Sequence, residues 1–253
     1  MRKLLLITLP LLLIVGCSKE PINYETTLIE RDDRFYTKET NKPYSGPVFS
    51  LYDDRKKKEE GSLKDGKMIS KTEWEWYSNG QKKFERTYKD GKLDGLITEW
   101  YENGQKSYEG TYKDRKLDGL GIYWYENGQK MGEGTYKNGN RVGLYTQWFE
   151  NGQKQHEETS KGGKEDRLWT WWYENGQKSK EETYKGGKED RSWNTWYKNG
   201  QKKFEGISKD GKRDGLWTNW DENGKKLKEE TYTDGELISQ ECWDEDGNEK
   251  ECD

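Results

Sequence analysis

Few side chains in this 253-residue sequence are of a type that does chemistry. The single histidine, His156, stands four residues after an Asn-Gly pair. The same place after other Asn-Gly pairs holds Phe84, Tyr108, Gly132, Lys180, Phe204 and Lys228, so the position accepts any filling and points away from a catalytic imidazole. No nucleophile elbow, phosphate loop or metal-ligand spacing is present, so neither an enzyme nor a metal or cofactor is expected. Asp94, Asp118 and Asp214 recur in Leu-Asp-Gly or Arg-Asp-Gly turns, which turn formation explains more simply than a row of calcium sites. Lys82, Lys106, Lys130, Lys154, Lys178, Lys202 and Lys226 each follow a glycine by two, and such a row could meet nucleic acid or anionic lipid. Glu102, Glu126, Glu150, Glu174 and Glu222 stand across the same turns and are expected to neutralise it. No nucleic-acid partner is expected.

Two groups of residues invite a role outside catalysis. Cys242 and Cys252 flank Asp246-Gly247, and a three-residue loop with a bulge at Gly247 would set them opposite each other, ready for a disulfide. Tyr145, Trp169, Trp193 and Trp217 each lie seven residues before a tip glycine, and Trp171 lies five before one. Strand alternation puts these five on one face, with Tyr173 and Tyr197, as a candidate protein-binding patch. The competing reading is a second packing ladder that only stiffens a sheet.

The elements that must position these residues follow from a repeat. Composition alone resembles disorder: charged residues are 37%, the apolar set 28%, and the net charge is −4. Yet aromatics reach 14%, including 13 Trp and 17 Tyr, so packing must rest on rings rather than on an aliphatic core. Asn-Gly recurs with its glycine at 80, 104, 128, 152, 176, 200 and 224, and degenerate copies at Asp54-Arg55 and Asp246-Gly247 make nine. Each copy reads as two alternating strands joined at Asn-Gly and closed by a second turn such as Asp90-Gly91, Asn138-Gly139 or Asp210-Gly211. Four residues before each of the seven regular tips stands a tryptophan: Trp76, Trp100, Trp124, Trp148, Trp172, Trp196 and Trp220, with Trp243 in the last copy. These predict a continuous Trp ladder along one face. One hairpin buries too little to hold alone, so neighbouring copies must support it. The expected fold is all-β: an elongated, twisted, single-layer antiparallel meander of about nine 24-residue β-hairpin repeats over residues 46–253.

The first residues read as an address. Arg2 and Lys3 precede an apolar run, Leu4 to Val15, too short to span a membrane and built like a secretory signal peptide over residues 1–16. The ending Ile14-Val15-Gly16-Cys17 resembles a bacterial lipoprotein lipobox, which implies lipid on Cys17 and a membrane as partner. The resemblance further implies a bacterial cell envelope location, at the outer membrane if there are two, since Ser18 is not the aspartate tied to inner-membrane retention. Two or three acyl chains would hold the protein firmly. Residues 17–45 read as a lipidated start and polar tether, with one hairpin near Asp32-Asp33.

The stretch EGTYKDRKLDG, Glu109–Gly119, resembles the MORN repeat, a β-hairpin unit, and the following WYENGQK is similar to its bacterial variant. The copies depart from that pattern where LDG becomes EDR, at Asp166-Arg167 and Asp190-Arg191, and those turns are expected to be shaped differently. The resemblance implies a lipid-anchored binding module for an unidentified protein partner, since some variant proteins are grouped as antitoxins or immunity proteins and many are lipoproteins. The alternatives are an antitoxin or immunity protein neutralising a toxin, and a structural or host-interaction lipoprotein.

Overall fold

A computed structural model describes residues 19–161, 166–185 and 190–252, so the leader and Cys17 lie outside the described residues. The chain divides into two compact units, residues 1–71 and 72–253. The first contains the segment read as a tether, and much of that segment is folded. Strand Ile22–Asn23 pairs in parallel with Gly46–Leu51. The Asn23 side chain then caps a single helical turn, Tyr24–Thr27, by accepting from the Glu25 and Thr26 N–H groups. Leu28–Arg31 and Arg34–Thr37 form a hairpin whose turn residues, Asp32 and Asp33, both adopt positive φ. Leu28, Val48 and Leu63 are buried together, with Ile22, Tyr24, Phe35, Tyr44 and Met68 packed against them. These apolar residues are too thinly scattered to show a period, which is why the sequence read as polar.

The second unit is a meander of successive hairpins, and the described regular structure there is all strand. Lys82–Lys89 pairs antiparallel with Lys92–Trp100, and that strand with Lys106–Lys113. The same pattern continues to Glu236–Trp243 and the short Glu249–Lys250. The all-β hairpin meander expected from the repeat is the fold observed.

The two turns of a copy differ, and the tip is not the turn that Asn-Gly suggests. Asp90 and Gly91 both take positive φ, 47° and 72°, the two-residue turn that suits strand twist. At the tip only Gly104 does, at 86°. Tyr101 N–H donates to Gln105 O at 2.8 Å, enclosing a three-residue loop, Glu102–Gly104. Asn103 is therefore used for its side chain. Its Oδ1 accepts the Gln105 N–H, and its Nδ2 donates 2.8 Å to the Glu126 carbonyl in the next copy. A bulge follows each tip from Gly104 to Gly224: Trp100 pairs with Lys106 but Glu99 with Tyr108, leaving Ser107 as the extra residue.

The far ends of the copies come in two kinds. Where the sequence has Leu-Asp-Gly, Arg-Val-Gly or Arg-Asp-Gly, the ladder slips by two residues, as between Leu117 and Gly121. Gly95, Gly119, Gly143 and Gly215 at these slips all have positive φ. Where Arg167 and Arg191 replace that glycine, the ladders run without a slip from His156–Trp171 to Lys161–Asp166, and from Lys180–Thr195 to Tyr184–Arg191. The sequence difference noted at Asp166-Arg167 and Asp190-Arg191 thus changes the register. Residues 162–165 and 186–189 of those turns lie outside the described residues.

Candidate functional site

Because cross-strand partners share a face, the pairing sorts side chains into two surfaces. The tryptophan face is a mixed ladder. Each copy contributes two strands, so equivalent tryptophans are about 9.6 Å apart, beyond the reach of ring-on-ring contact. The intervening strand supplies a lysine. Lys106 Nζ lies 5.8 Å over the Trp124 ring, Lys130 5.8 Å over Trp148 and Lys154 5.5 Å over Trp172. The same contact joins Lys82 to Trp100, Lys178 to Trp196, Lys202 to Trp220 and Lys226 to Trp243. The expected continuous Trp-on-Trp ladder is therefore Trp alternating with Lys.

The lysine row is neutralised, but by other partners than expected. Lys82 pairs with Glu85 at 2.8 Å and Lys178 with Glu181 at 2.6 Å, and Lys106, Lys130, Lys154, Lys202 and Lys226 likewise meet the glutamate three residues on. Three residues apart would be opposite faces on a regular strand; the bulge after the tip takes up one residue and restores a common face. Glu102 and its equivalents instead offer backbone carbonyls to the Asn side chains of the preceding tips. Between copies, the Tyr173 hydroxyl donates to Trp196 O at 2.8 Å and Tyr197 to Trp220 O at 2.9 Å, as Tyr77, Tyr101 and Tyr125 do for their neighbours.

The opposite face carries the five candidate aromatics, and the structure places them in two clusters. In the first, the His156 ring stacks on Trp171 at 4.9 Å and meets Tyr145 edge-on at 6.5 Å. Trp169 contacts Trp171 and Tyr184 at 5.8 and 5.0 Å. Lys180 lies over both Trp171 and Trp193, at 5.0 and 4.9 Å, while pairing with the buried Glu182 carboxylate at 2.6 Å. The indole nitrogens of Trp169 and Trp193 and Nε2 of His156 are buried without a hydrogen-bond partner among the described residues. That burial holds the His156 imidazole below its usual pKa range.

The second cluster is closed. Trp217 is 6% exposed, lies against Phe204 and Tyr232, and carries the Arg213 guanidinium over its ring at 4.4 Å. Its indole N–H donates to Ile207 O at 2.9 Å, and a Cβ at Gly206 would sit 2.4 Å from its ring. Trp217 is thus packed where the sequence suggested an open patch. The absence of a side chain at Gly206 makes its seat, and strand alternation cannot reveal that.

Between the clusters runs an open groove of about 650 Å³ that the sequence reading did not identify, lined in part by Tyr173, Lys180, Tyr197, Lys203, Phe204 and Lys228. Lys198 and Lys203 meet the rings of Tyr173 and Tyr197, at 6.0 and 5.2 Å, and no carboxylate among the described residues. One signal was present in the sequence: Lys198 occupies the place where Glu102, Glu126, Glu150, Glu174 and Glu222 stand in other copies.

Cys242 and Cys252 are joined by a disulfide with Cα atoms 5.4 Å apart. They are not opposite one another, because a plain three-residue loop pairs Cys242 with Lys250. Among the described residues, no group of three or more His, Cys, Asp or Glu is placed to hold a metal ion, and no helix is long and apolar enough to cross a membrane.

Six segments, residues 73–90, 93–114, 117–138, 141–161, 168–185 and 213–234, match the family model described as the MORN repeat variant. No curated protein matches the chain. A solved structure described as "Crystal Structure of TcdB2-TccC3-Cdc42" aligns over 83% of this chain at 9% identity. Its TM-score of 0.23 is too low to carry an argument, and the alignment spans 15% of that chain.

Proposed function

We propose that this chain, with its six MORN-variant segments, is a non-enzymatic protein-binding module held to a bacterial envelope membrane by lipid on Cys17. The observation that carries the binding reading is the groove between Tyr173 and Lys228, where rings and Lys203 line an open concavity, Lys198 stands over its Tyr173 ring, and neither lysine meets a carboxylate among the described residues. Aromatic walls supply contact area at low entropic cost, and unneutralised cations select an acidic partner segment. A His156 ring stacked on Trp171 and edge-on to Tyr145 supports reading it as packing rather than as a proton carrier. The test is charge reversal. A chain with Lys198→Glu and Lys203→Glu should keep its β circular dichroism and lose at least tenfold in capture of its protein partner; undiminished capture would refute the groove.

The anchor rests on the resemblance of Ile14–Cys17 to a lipobox. Cys17→Ser should release the protein from the membrane fraction, and an unmodified Cys17 thiol by mass spectrometry in wild-type protein would sink the anchor. If the partner is a toxin, expression of this chain should rescue cells that make it. If the partner is an envelope or host component, no toxin dependence is expected.

A further inference from the structure

The Asn-Gly pairs that close the tips carry a chemical hazard as well as a turn. In such a pair the glycine nitrogen, with no side chain to shield it, can attack the carbonyl carbon of the asparagine side chain. The seven tip asparagines, from Asn79 to Asn223, are all exposed, so access to water does not distinguish them. Their hydrogen bonds do. In six tips, Asn79 to Asn199, both ends of the amide are held. Oδ1 accepts the backbone N–H two residues on, at 2.9–3.1 Å. Nδ2 donates to a main-chain carbonyl of the next copy, at 2.6 Å from Asn199 and 3.1 Å from Asn151. Such an amide turns toward the glycine nitrogen only by giving up both bonds. The seventh tip is built otherwise. Asp221 stands where the other six have tyrosine or phenylalanine, and its carboxylate accepts the N–H groups of Asn223 and Lys225, at 2.9 and 2.8 Å. Lys225, where the others have glutamine, reaches the next copy instead, its Nζ donating 2.6 Å to Glu245 O. Asn223 makes neither of the two bonds among the described residues, and its amide lies beside the Asp221 carboxylate of its own tip.

We propose that Asn223 is a site of spontaneous deamidation, the first of the seven tips to convert. The Gly224 nitrogen attacks Cγ of Asn223. The N–Cγ bond forms, the Cγ–Nδ2 bond breaks, and ammonia leaves with the proton that the nitrogen gives up. Water then opens the cyclic imide, at Cγ to give aspartate or at the backbone carbonyl to give isoaspartate; nothing is oxidised or reduced. The same bonds decide what conversion costs. At the six held tips a carboxylate would replace the amide donor and face the carbonyl it had bonded, loosening one copy from the next. At Asn223 no such bond is lost. The array protects the asparagines that hold it together and leaves open the one it does not use. Asn138-Gly139, the Asn-Gly pair at a far-end turn, is restrained at the other reactant. Its glycine N–H, the attacking nitrogen, donates to Leu117 O of the neighbouring copy at 2.8 Å. Gly224 N–H donates within its own tip, to Asp221 O at 3.1 Å, and is freed without parting two copies.

The test is peptide mass spectrometry of the full chain, aged in mild detergent and heavy-oxygen water at mildly alkaline pH, where the attacking nitrogen loses its proton more readily. Asn223 should take up label at least tenfold faster than any of the other six tip asparagines. In urea, which unfolds the array, all seven should convert at similar rates, because each is followed by glycine. Asp221→Tyr with Lys225→Gln gives the seventh tip the residues of the others, and should slow Asn223 severalfold in a chain with unchanged circular dichroism. A folded chain in which Asn223 converts no faster than the other tips would overturn the proposal, as would a folded double variant that converts at the original rate. The same ranking in urea would place the cause in the neighbouring sequence, and would also overturn it.

Discussion

Copies closed by a glycine slip and copies closed without one have the same 24-residue length and solve it differently. In the glycine copies the two-residue turn at Asp90-Gly91 leaves two residues over, and Gly95 absorbs them in a slip at φ 121°. In the arginine copies the ladder reaches Lys161–Asp166 unbroken, and residues 162–165 lie outside the described residues. Length is therefore held constant along the array while register is negotiated locally. Neighbours bond to the tips through Asn and Tyr side chains, and to the far-end turns of the glycine copies through backbone groups, as Arg115 N–H to Leu93 O and Gly139 N–H to Leu117 O, both at 2.8 Å. The clustering of Tyr145, Trp169, Trp171 and Trp193 lies beside the unslipped ladders. Trp217 belongs to a glycine copy and is packed over Gly206.

The largest effect is expected from Trp217→Ala, which empties a buried seat and should cost about 3–5 kcal/mol in urea unfolding; Trp193→Ala, half-buried, should cost less than half as much. Next, exchanging the two kinds of copy should be unequal. Gly119→Arg forces a side chain into φ 136° with its Cβ 3.2 Å from Thr111 and should cost about 2 kcal/mol. The reverse change, Arg167→Gly, puts glycine in a regular strand and should cost only about 0.5–1 kcal/mol. Equal penalties would mean that the slip does not depend on glycine. Smaller and of opposite sign is Arg115→Gly. Arg115 takes φ 68° where the other turns have glycine, and relieving it should stabilise by about 1 kcal/mol, read as a higher melting temperature.

The smallest effect is a pH dependence. Burial keeps the His156 imidazole neutral to lower pH than in the unfolded chain, which takes up the proton first. Stability should therefore fall as pH drops below about 6.5 and stop falling once the folded form protonates as well. His156→Phe, the residue already used at Phe84 and Phe204, should remove that slope. An unchanged profile would assign it to the carboxylates.

Much of the array was legible because its signals are local. Alternation around Asn-Gly predicts both strands of a copy, and the fixed spacing predicts their order. The site was less legible. Trp217 and Trp169 occupy equivalent places in the repeat, yet one is sealed over Gly206 and the other lies beside Glu158, which pairs with Arg141. The lysine partners were misassigned because a single bulged residue after the tip inverts the expected face. Leu96, Leu120, Leu144, Leu168 and Leu216 recur eight residues before their tips, and only their exposure shows that they are not core.

The architecture is written along the chain, because period, turn and alternation are properties of residues close together in it. Which of the rings, lysines and leucines face water, and on which surface, is settled only once the strands pair. That depends on bulges, glycine seats and cross-strand partners, where neighbours in space are about 10 to 24 residues apart in the chain and one residue of slip reverses a face.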